Sequence, residues 1–330
     1  MPGISIKTIS EKLGLSTATV SRALNHSTSV TPETAERVRQ AARELGYVPN
    51  AMARGLRTSR LPLVGVMVPD IVNEYFSRIV LNLQLALAKL GYSVFICNTN
   101  EDPQLENSYL SSLQTLQISG LICISGYDWE KTVWPDIPTV YIDRMPTACA
   151  NRCTVITSDN VQGGLMAAKE LASCGCRQPI WLGDCRSLST ATGRLEGFRQ
   201  GLSESGIQLD DSRLLKVDKV DREHAYETVR AAISGGLSFD GLFCGTDWLA
   251  LGAIEALKEA GIPVPGEVRV VGYDDISAAS IGQVPVTTIH QDVDEMSRIA
   301  VSELARMLDG KSCRQGQWIV PVSLVRRKST

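Results

Sequence analysis

In the first 46 positions, apolar residues recur at helical spacing as three short sets: Ile6, Ile9 and Leu13; Val20, Ala23 and Leu24; Val38, Ala41, Ala42 and Leu45. The spacing predicts a first helix over roughly Ile6–Leu13, stopped by Gly14. A second begins after Ser16, a good N-cap. A third takes Thr31 as its cap and Pro32 as its first residue, and runs to Leu45 before Gly46. Helix, short glycine-containing turn and helix make a helix-turn-helix. Pro49 then breaks the chain, and Asn50 can cap a short helix over Ala51–Arg57. Two turns are too few to be stable alone in water, and Gly55 weakens them further. Polar Thr58-Ser59-Arg60 follows as linker. From Leu61 the period changes. "LPLVGVMVPD", "YSVFICN", "GLICIS" and "PTVYID" read as buried strands separated by helical stretches. A second series does the same: "VITSDN", "PIWLG", "LLKV", "GLFCG" and "VRVVGYDD". This βαβ alternation predicts two successive α/β lobes with parallel sheets and a cleft between them.

The second helix raises a question of chemistry. Thr and Ser are indifferent helix formers, yet "LSTATVSRALN" uses them freely. With Val20 and Leu24 on the buried side, Thr17, Ala18, Ser21 and Arg22 fall mostly on the other. A major groove admits such a helix: hydroxyls suit phosphates and base edges, small side chains suit a thymine methyl, and Arg suits guanine. Charge makes this reading specific. Residues 1–60 carry nine Lys/Arg against four Glu, whereas the remainder carries 24 basic against 32 acidic residues. The net charge of −3 therefore conceals a basic head on an acidic body, and the head is the part suited to a polyanion. Ser16, Thr17, Ala18, Thr19, Ser21, Arg22 and Asn25 are the candidate DNA contacts of this segment.

In the body, ligands of open parallel sheets bind beyond the carboxyl ends of strands. That rule selects Asp70, Asn73, Tyr75 and Phe76 after the first strand, and Asp143 and Arg144 after "VYI". It also selects Thr190, Thr192 and Arg194 after "PIWLG", Thr246 and Asp247 after "GLFC", and Asp274 after "VVGY". Acids, arginine and hydroxyls around an aromatic suit a polyol. Asp247 could instead serve as a charge at its helix N-terminus, and Asp275 could only cap the next turn. No phosphate-loop, dinucleotide or nucleophile-elbow motif is present, so no catalytic residue is assigned. The histidines His26, His224 and His290 lie in unrelated contexts. Nine cysteines lack CxxC pairing, and reduced, buried thiols without metal or cofactor are the expectation. No apolar run approaches a membrane span and no signal peptide is evident, so a cytoplasmic location is expected.

"STATVSRALN", "GYVPNAMARGL", "VVGYDD", "TTIHQ" and "PVSLVRRKST", in this order, resemble the lactose-repressor (LacI/GalR) family of bacterial transcription regulators over nearly the whole chain. The resemblance implies a head over residues 1–47, a hinge over 48–60 and a two-lobed, periplasmic-binding-protein-like core over 61–330. Within that core, one lobe spans about 61–158 plus 290–318, and the other about 159–287 plus 319–330. It places the second helix in the major groove and the hinge helix, paired with a partner subunit's copy, in the minor groove. There Leu56 is the wedge between bases, supported by Asn50, Ala53 and Arg54. Gly55 departs from the better helix formers expected there. "GRLEGF" matches the family's effector-binding arginine at Arg194, "GYDD" its effector-binding acid at Asp274, and Thr246 replaces a frequent Asn. His290 sits near a crossover between lobes. The partners implied are palindromic operator DNA and a small effector: a sugar, a sugar phosphate or a nucleobase-like molecule. The absence of a leucine-heptad tail points to a homodimer. A soluble sugar-binding module would also fit the lobes, though not the basic head, and an α/β enzyme would need a constellation that is not seen.

Overall fold

The three short apolar sets and the alternating strands each become the element their period dictates. The computed structural model describes residues 5–24, 29–47, 60–124, 137–146, 153–312 and 315–330, which divide into two compact units, Met1–Leu61 and Pro62–Thr330. Asn25 and the hinge residues Asn50, Ala53, Arg54 and Leu56 lie outside the described residues.

The first unit holds α1 (Ile6–Leu13), α2 (Thr17–Leu24) and α3 (Pro32–Leu45). All three begin with the same device, a hydroxyl at the cap and a threonine three residues on. The Ser5, Ser16 and Thr31 side chains accept the backbone N–H of Thr8, Thr19 and Thr34. Each pair of hydroxyls is also hydrogen-bonded. Gly14 and Gly46 end α1 and α3 in the left-handed conformation, at φ 65° and 67°, where a side chain would be strained. Ile9, Val20, Ala23, Ala35, Val38, Ala41 and Ala42 form the core of this head.

The second unit contains two six-stranded sheets. The first lobe holds β1 (Leu61–Val68), β2 (Ser93–Asn98), β3 (Ile118–Cys123), β4 (Thr139–Ile142), β5 (Thr154–Ser158) and, late in the chain, β11 (Gly316–Val320). The second holds β6 (Pro179–Asp184), β7 (Leu214–Val217), β8 (Gly241–Cys244), β9 (Arg269–Asp274), β10 (Thr287–Gln291) and β12 (Val322–Val325). Their orders correspond: β2-β1-β3-β4-β5-β11 and β7-β6-β8-β9-β10-β12. Helices α4 (Glu74–Lys89), α5 (Pro103–Thr115) and α11 (Val293–Leu308) belong with the first sheet. With the second go α6 (Asn160–Ser173), α7 (Ser189–Glu204), α8 (Arg222–Ser234), α9 (Asp247–Glu259) and the single turn α10 (Ser277–Ser280).

The chain passes between sheets three times, at Asp159, Asp292 and Pro321. Two passages lead into helices, α6 and α11, whose N-termini are capped by the Asp159 and Asp292 side chains. At the third, β11 continues through one proline into β12. A strand leaving the carboxyl edge of one sheet enters the facing sheet from its carboxyl edge. β12 therefore runs antiparallel to β10, the exception in a core expected to have parallel sheets.

One helix pair in the second lobe is unusually close. A Cβ on Gly164 would overlap the Arg194 carbonyl, and one on Gly197 would overlap the Val161 carbonyl. The α6 and α7 backbones thus meet directly, and this fixes the first turns of α7, where Arg194 sits.

The cysteines differ in part from the expectation of buried thiols. Cys97, Cys123, Cys176 and Cys244 are buried and free, but Cys185 is exposed in the loop after β6. Cys153, at the entry to β5, is disulfide-bonded. Both lie at strand ends, where the chain is not enclosed by the sheet core. Among the described residues no group of three or more His, Cys, Asp or Glu could hold a metal ion, and no helix is long and apolar enough to cross a membrane.

Gly197→Ala tests the close helix crossing. A methyl forced against backbone has little room to relax, and overpacking of this kind costs about 1–3 kcal/mol. The expected outcome is a lower denaturation midpoint for the core, read from tryptophan fluorescence, to which Trp181, packed on Phe198 one residue along α7, contributes.

Candidate functional site

In the head, α2 presents Thr17, Ala18 and Arg22 to solvent, preceded by exposed Ser16. Lys12 pairs with Glu44, and Arg39 and Arg43 pair with Glu36; Arg22 pairs with no acid among the described residues. Two of the predicted contacts are less exposed than the others. Ser21 is buried, 7% exposed, because a rotation of about 100° per residue turns it toward Leu24 rather than toward Arg22. Thr19 is half-buried with its hydroxyl hydrogen-bonded to that of Ser16, the cap of the helix. The outward edge is consequently narrower: Thr17, Ala18 and Arg22.

In the core, the carboxyl ends of both sheets line one cavity of about 880 Å³. Arg194 lies on its floor, 5% exposed. Its Nε donates to Asn160 Oδ1 at 2.8 Å and its Nη1 to the Gly245 carbonyl at 2.6 Å. The guanidinium stacks on the Tyr273 ring, 3.7 Å from its centroid, and its Nη1 stands 3.7 Å from Asp274 Oδ1. Asp274 accepts a hydrogen bond from Gln291 Nε2 at 2.8 Å. Burial pushes Asp274 up to about 7, with the Asp143 carboxylate adding to the effect and Arg194 opposing it.

The first lobe supplies the counterpart. Asp143 follows β4 as Asp274 ends β9, the corresponding strand, and both have positive φ, 71° and 107°. Such a backbone is costly for a non-glycine residue and is retained where surrounding structure over-determines it. Asp143 accepts a hydrogen bond from the Tyr75 hydroxyl at 2.8 Å, and that hydroxyl lies 3.2 Å from Gln291 Oε1. Asp143, Tyr75, Gln291, Asp274 and Arg194 thus form one buried polar chain from lobe to lobe.

Ten of the twelve sequence-predicted cavity residues line it: Asp70, Asn73, Tyr75, Phe76, Asp143, Arg144, Thr190, Arg194, Thr246 and Asp274. Asp247 and Thr192 do not. Asp247 is fully buried and accepts hydrogen bonds from the Ile276 N–H and the Thr288 hydroxyl, at 2.9 and 2.6 Å. A Cβ at Gly272 would overlap its carboxylate, so the side chain is packed against the sheet and braces the loop after Asp274. Thr192 lies two residues from both Thr190 and Arg194 on α7, and therefore on the opposite side of the helix. Asp275 does more than cap a turn: it pairs with His290 and Arg327. Sequence reasoning missed Asn100 and Glu101 after β2, Asp184 and Arg186 at the end of β6, Asp218 and Lys219 after β7, and Trp181 within β6. All but Trp181 follow from the strand-end rule, had it been applied to every strand.

The geometry can be set beside known proteins. The model for bacterial regulatory proteins of the lacI family matches residues 5–50, and that for the periplasmic binding protein-like domain matches residues 168–330. The chain is 32% identical over 333 residues to the HTH-type transcriptional repressor PurR of Haemophilus influenzae (strain PittEE), covering 98% of each. It is 28% identical over 330 residues to the ribose operon repressor of Escherichia coli (strain K12), covering 98% of this chain and 99% of the relative. A lac repressor dimer solved with operator and the anti-inducer ONPF is similar at a TM-score of 0.87, with 26% identity and 99% of each chain covered. A helix-turn-helix head joined to two lobes around a polar cavity, shared end to end with such relatives, places the chain in the lacI family of bacterial regulatory proteins, as a DNA-binding transcriptional regulator.

Proposed function

We propose that this regulator is a repressor whose hold on a palindromic operator is set by a sugar or sugar derivative bound in the cavity between its lobes. The observation that carries this reading is the Arg194–Asp274 pair on the cavity floor. Two opposite charges this far from water are costly unless further hydrogen bonds satisfy them, and they offer a polyol both a fork of donors and an acceptor. Phe76, Trp181 and Leu188 line the same cavity and give apolar surface for the C–H face of a sugar ring. The likeness to the ribose operon repressor supports the same ligand class. The relatives are regulators rather than enzymes, and no catalytic residue is assigned here.

On this reading Thr17, Ala18 and Arg22 meet base edges, with Ser16 positioned for a phosphate. Effector acts by binding the two lobe arrangements unequally, since only differential affinity shifts such an equilibrium. A homodimer in the cytoplasm completes the reading. Leu81 and Leu85 are exposed on α4, Phe95 and Ile96 on the adjoining edge strand β2, and Ile281 nearby in sequence to α10 is 70% exposed. Apolar residues along an open sheet edge favour association unless covered, and a second copy of the chain covers them.

Arg194→Ala should leave operator binding intact and abolish the effector response; calorimetry with a ligand found by thermal-shift screening should show affinity at least tenfold weaker, a loss of about 1.4 kcal/mol or more. Arg22→Ala should relax base preference and lose ~1–3 kcal/mol of operator binding if the guanidinium reads guanine bidentately. Unchanged preference in a mobility-shift assay would make Arg22 a phosphate contact.

The Asp274 carboxyl predicts a pH slope. Between the ordinary carboxylate value, 3.8, and about 7, the folded core keeps a proton that the unfolded chain has released. Its contribution to stability is therefore present at low pH and is lost as pH rises through that window. Asp274→Asn should flatten this part of the profile, as read by urea midpoints on either side of the window.

A further inference from the structure

At the mouth of the effector cavity lies a second ionic cluster, separate from the Arg194–Asp274 pair. Glu101 comes from the loop after β2 and Arg144 from the end of β4, both in the first lobe; Asp184 and Arg186 come from the end of β6 in the second. All four line the cavity. Asp184 grips one edge of Arg186, with Nε at 2.8 Å from Oδ1 and Nη2 at 2.5 Å from Oδ2. That fork turns the remaining nitrogen, Nη1, onto Glu101 Oε2. From the other side, Arg144 Nη2 reaches Glu101 Oε1 at 2.9 Å. Two guanidinium groups, one from each lobe, thus converge on the two oxygens of one carboxylate.

Planar donors on both oxygens of a carboxylate are the arrangement by which arginine recognises that group. Here the carboxylate belongs to the chain. It is also presented awkwardly: Asn100 and Glu101 both hold positive φ, 49° and 59°, a conformation that disfavours side-chain-bearing residues. Arg144, by contrast, is fixed, its side chain 8% exposed and its guanidinium 5.4 Å from the Phe76 ring centroid. Arg144 is buried, Arg186 and Glu101 are partly exposed, and Glu101 is carried by backbone in the left-handed region.

We infer that Arg144 and Arg186 form a carboxylate subsite of the effector cavity, occupied in this structure by Glu101, and that the effector is an acidic sugar, an aldonate or uronate, whose carboxylate takes that place. The inference rests on the effector reading above and narrows it. An acid bound there joins the lobes as Glu101 does, while its hydroxyls reach toward Arg194 and Asp274. Glu101 acts as a tethered competitor, so its loop relaxes as the ligand enters.

The test uses the full chain and a panel of aldonates and uronates beside their neutral parent aldoses, screened by thermal shift and measured by calorimetry. Acids should bind and their parents should bind at least tenfold more weakly. Glu101→Gln removes the competing charge and should tighten binding of the acid by roughly tenfold, the scale expected when a tethered competitor is lost. Arg186→Gln, in a partly exposed loop, should weaken the acid at least tenfold and sharply reduce its preference over the neutral parent. Binding only by neutral sugars or by sugar phosphates, or an acid whose affinity ignores both substitutions, overturns the inference while the effector reading stands. Binding by no sugar of any kind overturns both.

Discussion

A guanidinium buried among strand ends has to be compensated on every side, and much of the core is arranged around that requirement at Arg194. Its nitrogens are met by a side-chain amide, Asn160, and a backbone carbonyl, Gly245. Its face lies on Tyr273 and its charge is balanced by Asp274. The contact with Asn160 depends on an unusually close helix pair. Asn160 opens α6 and Arg194 lies in α7, and they meet because Gly164 and Gly197 let the two backbones touch. Asp274 is held in turn by Asp247, which fits against Gly272 and pins the N–H of Ile276 just beyond it. A residue that does not line the cavity thereby braces the loop that follows a cavity acid.

The topology extends this constraint across the cavity. Both sheets present their carboxyl ends to it, and all three passages between lobes leave from those ends. Gln291, the last residue of β10 before one passage, holds Asp274 while lying within reach of Tyr75 from the other lobe. A ligand that engages the floor therefore acts next to the segments about which the lobes must turn. Polar networks of this kind are coupled, and the worth of one member depends on the rest.

What could be read from sequence follows from how local the cause is. The head was legible because caps, stops and apolar spacing all lie within a few residues of each other: Ser16, Gly14, Thr31, Pro32. Arg194 and Asp274 were legible because strand ends are marked by the end of an apolar run. Thr192 failed for the opposite reason, since it stands two positions from both Thr190 and Arg194 and faces away, and Ser21 because it lies on the Leu24 side of its helix; hydroxyls do not announce their side. Asp247 has the right position after a strand, but whether it points to the cavity or the sheet depends on Gly272, which comes from another strand. Trp181 was beyond reach because its ring covers Gly183, a placement that leaves no periodic signal. The reversal of β12 is a consequence of the two sheets facing one another, and a strand's own residues carry no trace of it.

Among the described residues, bonds near the surface join the lobes around the cavity in addition to the buried Tyr75–Gln291 contact. Glu74 accepts hydrogen bonds from the N–H and hydroxyl of Ser277 at 2.7 and 2.6 Å. The Met145 N–H donates to the Ser189 hydroxyl at 2.9 Å, and Glu101 meets Arg186. A hydrogen bond contributes only about 0.5–1.5 kcal/mol net, because its groups are otherwise hydrated. Each of these surface bonds therefore adds little to hold one lobe arrangement against another. The Arg194 network, by comparison, would leave a buried charge unmet if broken and is confined mainly to one lobe. The surface bonds are thus the weaker restraints and the buried Arg194 contacts the stronger ones. Since tenfold in affinity corresponds to about 1.4 kcal/mol, a ligand that adds two or three bonds to one lobe arrangement and not the other has enough free energy to reset the balance.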